Sequence, residues 1–320
     1  MRFFLTATDS SPHAEERPPF KTPPAAALPD EEGAFRSTHR ADAAFLWCGR
    51  HGVILCLAPV RLKRAARRPG LSERAATRLY MTEPLTPGTA VALNASQAHR
   101  LRNVLRLASG AMVAAFNARD GEWLCRLTEQ GRRGGALVPE KRLRTTDGEP
   151  DLWLMFAPIK RARLDWLVEK ATELGAAALV PVWTARTQPE RLNRERLRAL
   201  AIAAAEQSDR LSVPEVRAPE PLEKLLAVWP AERRLIVCDE TGGGTPIGAA
   251  LEGLAGTASA ALLIGPEGGF TETELDALGK LPIVTRVGLG PRVLRAETAA
   301  LAALAVFQAI AGGWRRARPR

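Results

Sequence analysis

The change of rhythm after Pro150 constrains this chain more than any other feature. Leu152 to Ala157 is a short, nearly continuous apolar run, and Leu164, Leu167, Val168, Ala171 and Leu174 then recur at helical spacing until Gly175 can end the turn. Ala178 to Val182 reads as the next strand. A helix over roughly Leu192 to Ser208 follows, with Leu197, Leu200, Ala201 and Ala204 as its buried stripe. Leu235 to Cys238 and Ala260 to Ile264 are further buried strands, and Ala299 to Ile310 reads as an apolar closing helix. Strands apolar throughout need cover on both faces, so their separation by helices predicts an α/β unit with a largely parallel sheet. Periodicity alone predicts an ordinary doubly wound arrangement.

The text before Pro150 is different. From Arg78 to about Arg144, short segments such as Met112 to Phe116 and Trp123 to Leu127 are separated by Pro87-Gly88, Ser109-Gly110 and Asp120-Gly121, which predicts a small β domain. Ser96 can cap a helix that carries Leu101, Val104 and Leu105 on its apolar side, with Arg100, Arg102 and Arg106 beside them. Those three arginines are candidate contacts for RNA phosphates, with a solvated charged face as the alternative. Earlier still, Pro12, Pro18, Pro19, Pro23, Pro24 and Pro29 crowd a stretch with little periodicity. The expected division is therefore a disordered or spurious leader over 1–75, an RNA-binding β domain over 76–146, the α/β domain over 147–314 and a basic tail over 315–320.

Composition narrows the function classes. Forty-five Lys and Arg against 35 Asp and Glu give a formal charge of +10, compatible with a polyanionic partner, although an Arg- and Ala-rich composition also follows from nucleotide bias. The four cysteines, Cys48, Cys56, Cys125 and Cys238, are widely spread, and no pair has the C-x-x-C spacing of a zinc or redox site. Three of the four histidines fall before residue 75, so no metal site is expected. No stretch reaches the roughly 18 to 20 apolar residues of a membrane helix. A cytoplasmic protein without a membrane partner is the expectation.

Two loops carry the chemistry. Gly265-Pro266-Glu267-Gly268-Gly269-Phe270 follows an apolar strand directly, and Thr271 with Glu274 has the spacing of a capping box for a helix. Gly-x-Gly-x-x-Gly and the P-loop ending are both absent, so this is either a nucleotide-like ligand loop of another kind or a tight structural turn. Leu289-Gly290-Pro291-Arg292-Val293-Leu294-Arg295-Ala296-Glu297 is the second, leading into an apolar helix. Arg292 could hold a phosphate or carboxylate. Arg295 could orient a substrate or pair with Glu297 to brace the bend. Gln207 and Arg210, where a helix ends, are binding candidates or simply a terminus with a favourably placed cation.

With Leu167 to Gly175, Ala205-Glu206-Gln207-Ser208 and these two loops taken together, the chain resembles the bacterial 16S ribosomal RNA uridine-N3 methyltransferases of the SPOUT superfamily. His99, Val104-Leu105-Arg106 and Gly110 match that family's amino-terminal domain, and the resemblance runs from about Arg78 to Gly313. It implies a SPOUT trefoil-knot methyltransferase domain preceded by a small PUA-like β-barrel, assembled as a homodimer, against the general rule that chains do not thread. It also implies S-adenosyl-L-methionine as cofactor, held by Gly265, Pro266, Glu267, Gly268, Gly269, Leu289, Gly290 and Leu294. The implied partner is 16S ribosomal RNA within the small ribosomal subunit. Thr184-Ala185-Arg186-Thr187 replaces the family's usual Ser-Glu-Arg-Ser, keeping Arg186 as a substrate-binding candidate but lacking the glutamate.

Methylation at a uridine nitrogen needs removal of the N3 proton and stabilisation of the charge that results. Glu297 is the first candidate for base or base-orienting group and Arg295 for stabilising the carbonyl oxygen. Glu267 is the rival base, and both carboxylates could instead organise loops. The alternatives are a related enzyme acting on a 2′-hydroxyl or transfer RNA, and a nonenzymatic ribosome-assembly factor.

Overall fold

The computed structural model describes residues 75–130, 134–146, 148–187, 192–254 and 259–315. The expected leader lies outside the described residues apart from Ala75, and the basic tail apart from Arg315.

The amino-terminal part contains β1 (Arg78–Tyr80), β2 (Val91–Ala92), α1 (Ala95–His99), β3 (Met112–Asn117), β4 (Gly121–Gln130) and β5 (Gly134–Arg144). The strands form one five-stranded sheet in the order β1-β3-β4-β5-β2, with β1 parallel to β3 and the other pairs antiparallel. Gly121 makes the β3–β4 turn at φ 82°, where an added Cβ would lie 2.2 Å from the Arg144 carbonyl oxygen. Leu79, Met81, Val113, Cys125 and Leu137 fill the core beneath.

The helix beside this sheet differs from its expected form. Its N-cap is Asn94, which forms a capping box with Gln97, and not Ser96. After five residues it passes into a π-helical turn over Arg100–Val104. Leu101 is buried, but Val104 and Leu105 are exposed, because the wider turn rotates them off the apolar side. Arg106 follows in left-handed backbone, φ 53°.

The carboxyl-terminal part comprises β6 (Asp151–Phe156), α2 (Arg161–Glu173), β7 (Ala178–Trp183), α3 (Arg194–Gln207), β8 (Glu215–Val216), β9 (Glu220–Pro221), α4 (Leu222–Ala227) and β10 (Arg234–Cys238). It continues with β11 (Thr245–Pro246), α5 (Ile247–Glu252), β12 (Ser259–Ile264), α6 (Glu272–Gly279), β13 (Val284–Gly288) and α7 (Ala296–Ile310). Every strand pair here is parallel, in the order β11-β13-β10-β12-β6-β7-β8 with β9 also on β7.

Alternation along each strand feeds two cores. Leu152, Leu154 and Phe156 of β6 point to the side of α2, α3, α5 and α7, while Met155, with Val180 and Leu263, points to the side of α4 and α6. Gly175 stops α2 at φ 86°, and the buried Gln308 of α7 donates to the adjacent Leu174 carbonyl at 2.8 Å. The order is not a simple winding. β12 inserts between β6 and β10, and β13 takes the other side of β10.

Candidate active site

Three loops at the carboxyl ends of β10, β12 and β13 enclose a cavity of about 630 Å³. That is where a parallel α/β sheet places its ligands, and the volume lies within the range of small-molecule sites. Gly265, Pro266, Glu267 and Gly269 line it from the loop after β12, and Leu289, Gly290, Leu294, Arg292 and Arg295 from the loop after β13. Both loops read as functional in the sequence thus face one space.

Gly268 does not line it. The nearest neighbour of an added Cβ there is the Arg186 side chain at 3.6 Å, so this glycine faces its support. Arg186 in turn donates to the carbonyls of Gly268 at 2.8 Å and Phe270 at 3.2 Å. It braces the glycine loop through that one terminal nitrogen, Nη1, and the side chain as a whole is exposed. Gly269 sits at φ 69°, and a Cβ there would lie 2.0 Å from Glu240 Oε1. Gly290, at φ 102°, bends the second loop where only its backbone demands glycine.

The third wall was missed in the sequence. Asp239, Glu240, Thr241 and Gly242 follow β10 and line the cavity, and their signal was an acidic pair before Gly242-Gly243-Gly244. Asp239 accepts from the Thr241 backbone N–H at 2.9 Å and hydroxyl at 2.7 Å, and from Arg286 Nη2 at 2.6 Å. Burial pushes its carboxyl up, but those hydrogen bonds and the Arg286 charge outweigh it and hold the group below the usual range. Glu240 Oε1 accepts from the Phe270 N–H at 2.7 Å, tying the first loop to the third.

Arg163, in the first turn of α2, is the other residue that no local pattern marked. It lines the cavity, its Nη1 donates to Glu267 Oε1 at 2.5 Å, and its Nε stands 3.5 Å from Glu297 Oε1. Glu297 therefore pairs with Arg163 and not with Arg295. Moreover, Glu297 is not among the residues lining the cavity: it lies buried in the first turn of α7 with Oε2 lacking any hydrogen-bond partner. Behind the wall and beside the Arg163 guanidinium, Glu297 is placed to support that cation. Glu267, the rival candidate, is on the wall and half exposed.

The remaining predicted contacts divide. Arg210 is buried, with its guanidinium spent on Glu149, the Thr172 carbonyl and Ser212, so it is a brace rather than a substrate ligand. Arg100 pairs with Glu206, and Arg102 donates to the Gly134 carbonyl at 2.9 Å. Arg106 and Gln207 are exposed, as are Arg292 and Arg295 at the rim.

The site thus has the form of a nucleotide-type pocket at the sheet's carboxyl edge, built from three backbone-rich loops and flanked by cations. Residues 147–308 match the RNA methyltransferase domain family, and the chain belongs to it. It is an RNA methyltransferase.

Relatives place it more finely. The chain is 31% identical over 226 residues to the ribosomal RNA small subunit methyltransferase E of Bacillus subtilis (strain 168), covering 67% of this chain and 88% of that one. With the protein of the same name from Synechocystis sp. (strain ATCC 27184 / PCC 6803 / Kazusa) it shares 32% over 226 residues, covering 69% and 73%. Among solved structures, a ribosomal RNA small subunit methyltransferase E from Neisseria gonorrhoeae bound to S-adenosyl methionine superposes with TM-score 0.65 at 29% identity, covering 74% of this chain and 98% of that one.

Proposed function

We propose that this protein transfers a methyl group from S-adenosylmethionine to N3 of a uridine in 16S ribosomal RNA of the small ribosomal subunit, in the cytoplasm. The observation that carries the reading is the shared cavity of the two glycine loops. Its wall combines positive-φ glycines, the apolar Leu289 and Leu294, and acidic and basic groups at the rim, which fits an adenosyl group with a charged tail. Gly265, Pro266, Glu267, Gly269, Leu289, Gly290 and Leu294 would hold it, and when bound it supplies an electrophilic methyl on sulfur. The chain's own residues then hold the acceptor in line and exclude water. Glu267 takes the N3 proton, and Arg292 and Arg295 meet the RNA at the rim.

The same reading takes residues 147–314 as a trefoil-knotted domain. It is supported by β12 and β13 flanking β10 on opposite sides, with α7 packed back on the face of α2 and α5. Residues 76–146 are then a PUA-like barrel. The five-stranded sheet and its two register shifts in the β4–β5 pair support that curvature. Arg102 and Arg106 are its RNA-facing cations. A second copy of the chain completes the assembly, which sedimentation at micromolar concentration tests.

The target is tested with undermodified small subunits and with free 16S RNA, each incubated with protein and labelled donor and then digested to nucleosides. N3-methyluridine is the expected product. Recovery of 2′-O-methyl nucleosides or methylated transfer RNA, without it, rejects the assignment.

A further inference from the structure

Arg163 is held by carboxylates on two sides. Glu267 takes its Nη1 at 2.5 Å from the glycine loop, and Glu297 approaches its Nε at 3.5 Å from α7. The Glu297 side chain is only 10% exposed and its Oε2 has no hydrogen-bond partner. An ionised carboxylate so placed is costly unless a cation is kept beside it. The other acids on the cavity wall are engaged elsewhere, Asp239 by Thr241 and Arg286 and Glu240 by the Phe270 N–H. Arg292 and Arg295 line the same cavity but are exposed and form no ion pair with a described residue. Of the three cations on this wall, Arg163 alone is preorganised, the property that makes a charge effective in a transition state.

We propose that Arg163 is a catalytic residue: its guanidinium carries the negative charge that spreads onto a uracil carbonyl oxygen as N3 loses its proton, and Glu297 is the positioning residue behind it. This rests on the uridine-N3 reading above. The N3–H bond breaks with its electron pair left on the ring, and the proton passes to Glu267. That pair forms the N3–CH3 bond as the S–CH3 bond of the sulfonium donor breaks toward sulfur, so anion and sulfonium are both neutralised. The role assigned to Arg295 from the sequence thereby moves to a residue over a hundred positions away.

The test compares wild type with Arg163→Met, Arg163→Lys, Glu297→Gln and the Met/Gln double variant on undermodified small subunits. Two quantities are read: calorimetric affinity for S-adenosylmethionine, and the single-turnover rate against pH. Arg163→Met is expected to keep cofactor affinity within about threefold while the rate falls about 100-fold. Its rising pH limb moves to higher pH, because an acceptor without a cation ionises later, whereas a loss of mere support would leave that limb in place. Arg163→Lys recovers part of the rate. Glu297→Gln slows wild type but adds little in the Met background.

An unchanged rate and limb in Arg163→Met overturns the assignment, as does a loss of cofactor affinity beyond about tenfold, which makes Arg163 a cofactor or folding residue. Additive effects of the two substitutions overturn the positioning role. Wild type that yields no N3-methyluridine overturns the target reading instead, whatever the variants do.

Discussion

Burial decides the behaviour of the two described thiols. Cys238 lies on the cavity wall, yet burial first and the Glu240 charge second push its thiol up to about 12. Cys125, inside the β-domain core, is also pushed up to about 12, mainly by burial. Nucleophilic attack needs the thiolate. Peptide mapping after iodoacetamide at pH 8 is therefore expected to show both unmodified in the folded protein and both labelled after denaturation. Asp120 behaves oppositely: the Arg119 hydrogen bond is the largest influence holding its carboxyl down to about 2, aided by the Leu85 N–H and Asn117. Its folded value is below its ordinary value of 3.8, so its stabilisation is complete above that pH and is lost as pH falls through about 2. Denaturation midpoints measured between pH 5 and 2, a window set by linkage to about one pH unit, should fall less steeply for Asp120→Asn than for wild type.

At the scale of elements, the glycine loop and the helix after it act together. Thr271 and Glu274 form the capping box that their spacing predicted, and Glu274 Oε1 also accepts the Ala185 N–H at 2.7 Å. That contact places a carboxylate beside Ala185, the position at which the resemblance implies a glutamate. Gly269→Ala forces a side chain into left-handed backbone and against Glu240, at a cost of at least about 1–2 kcal/mol. Lower thermal stability and weaker S-adenosylmethionine binding are the expected results, measured by calorimetry. Unchanged binding would show that Glu240 yields freely. Elements marked by local periodicity, such as β6, α2, β12 and α7, were legible to within a few residues. β5 was not, because Gly134-Gly135 and the charged Glu140-Lys141-Arg142 break the apolar alternation of an edge-side strand. The π-turn after α1 was not either, since a change of helical pitch leaves no mark in residue spacing.

For the whole molecule, what the sequence could not reveal is contact across long separations. Both ligand loops were visible as glycine-rich text, but Arg163 joins Glu267 and Glu297 across 104 and 134 positions, and nothing near it announces a partner. The AEQSDR segment is a second case. It reads as a binding patch, yet Arg78 donates to the Ala205, Glu206 and Arg210 carbonyls at 2.8, 3.0 and 2.8 Å, and Arg144 donates to the Asp209 carbonyl at 3.0 Å. The fully buried Glu122 holds both guanidiniums, at 2.7 Å each. Glu122→Ala leaves both guanidiniums with their carbonyl acceptors but without the buried carboxylate that neutralises them, and should destabilise by about 3–5 kcal/mol in urea titration. RNA binding should weaken steeply between 50 and 200 mM salt, as for any contact set that displaces about six or more counterions.

That buried joint has a further consequence. The carbonyl end of α3 is gripped by the β sheet, while the helix's flank packs on α2, whose first turn carries Arg163. A gene fragment encoding only the amino-terminal half would leave Arg78 without three of its acceptors and Glu206 absent altogether. The two halves are thus poor candidates for exchange between proteins as separate building blocks, and swapping either requires transplanting the end of α3 with it.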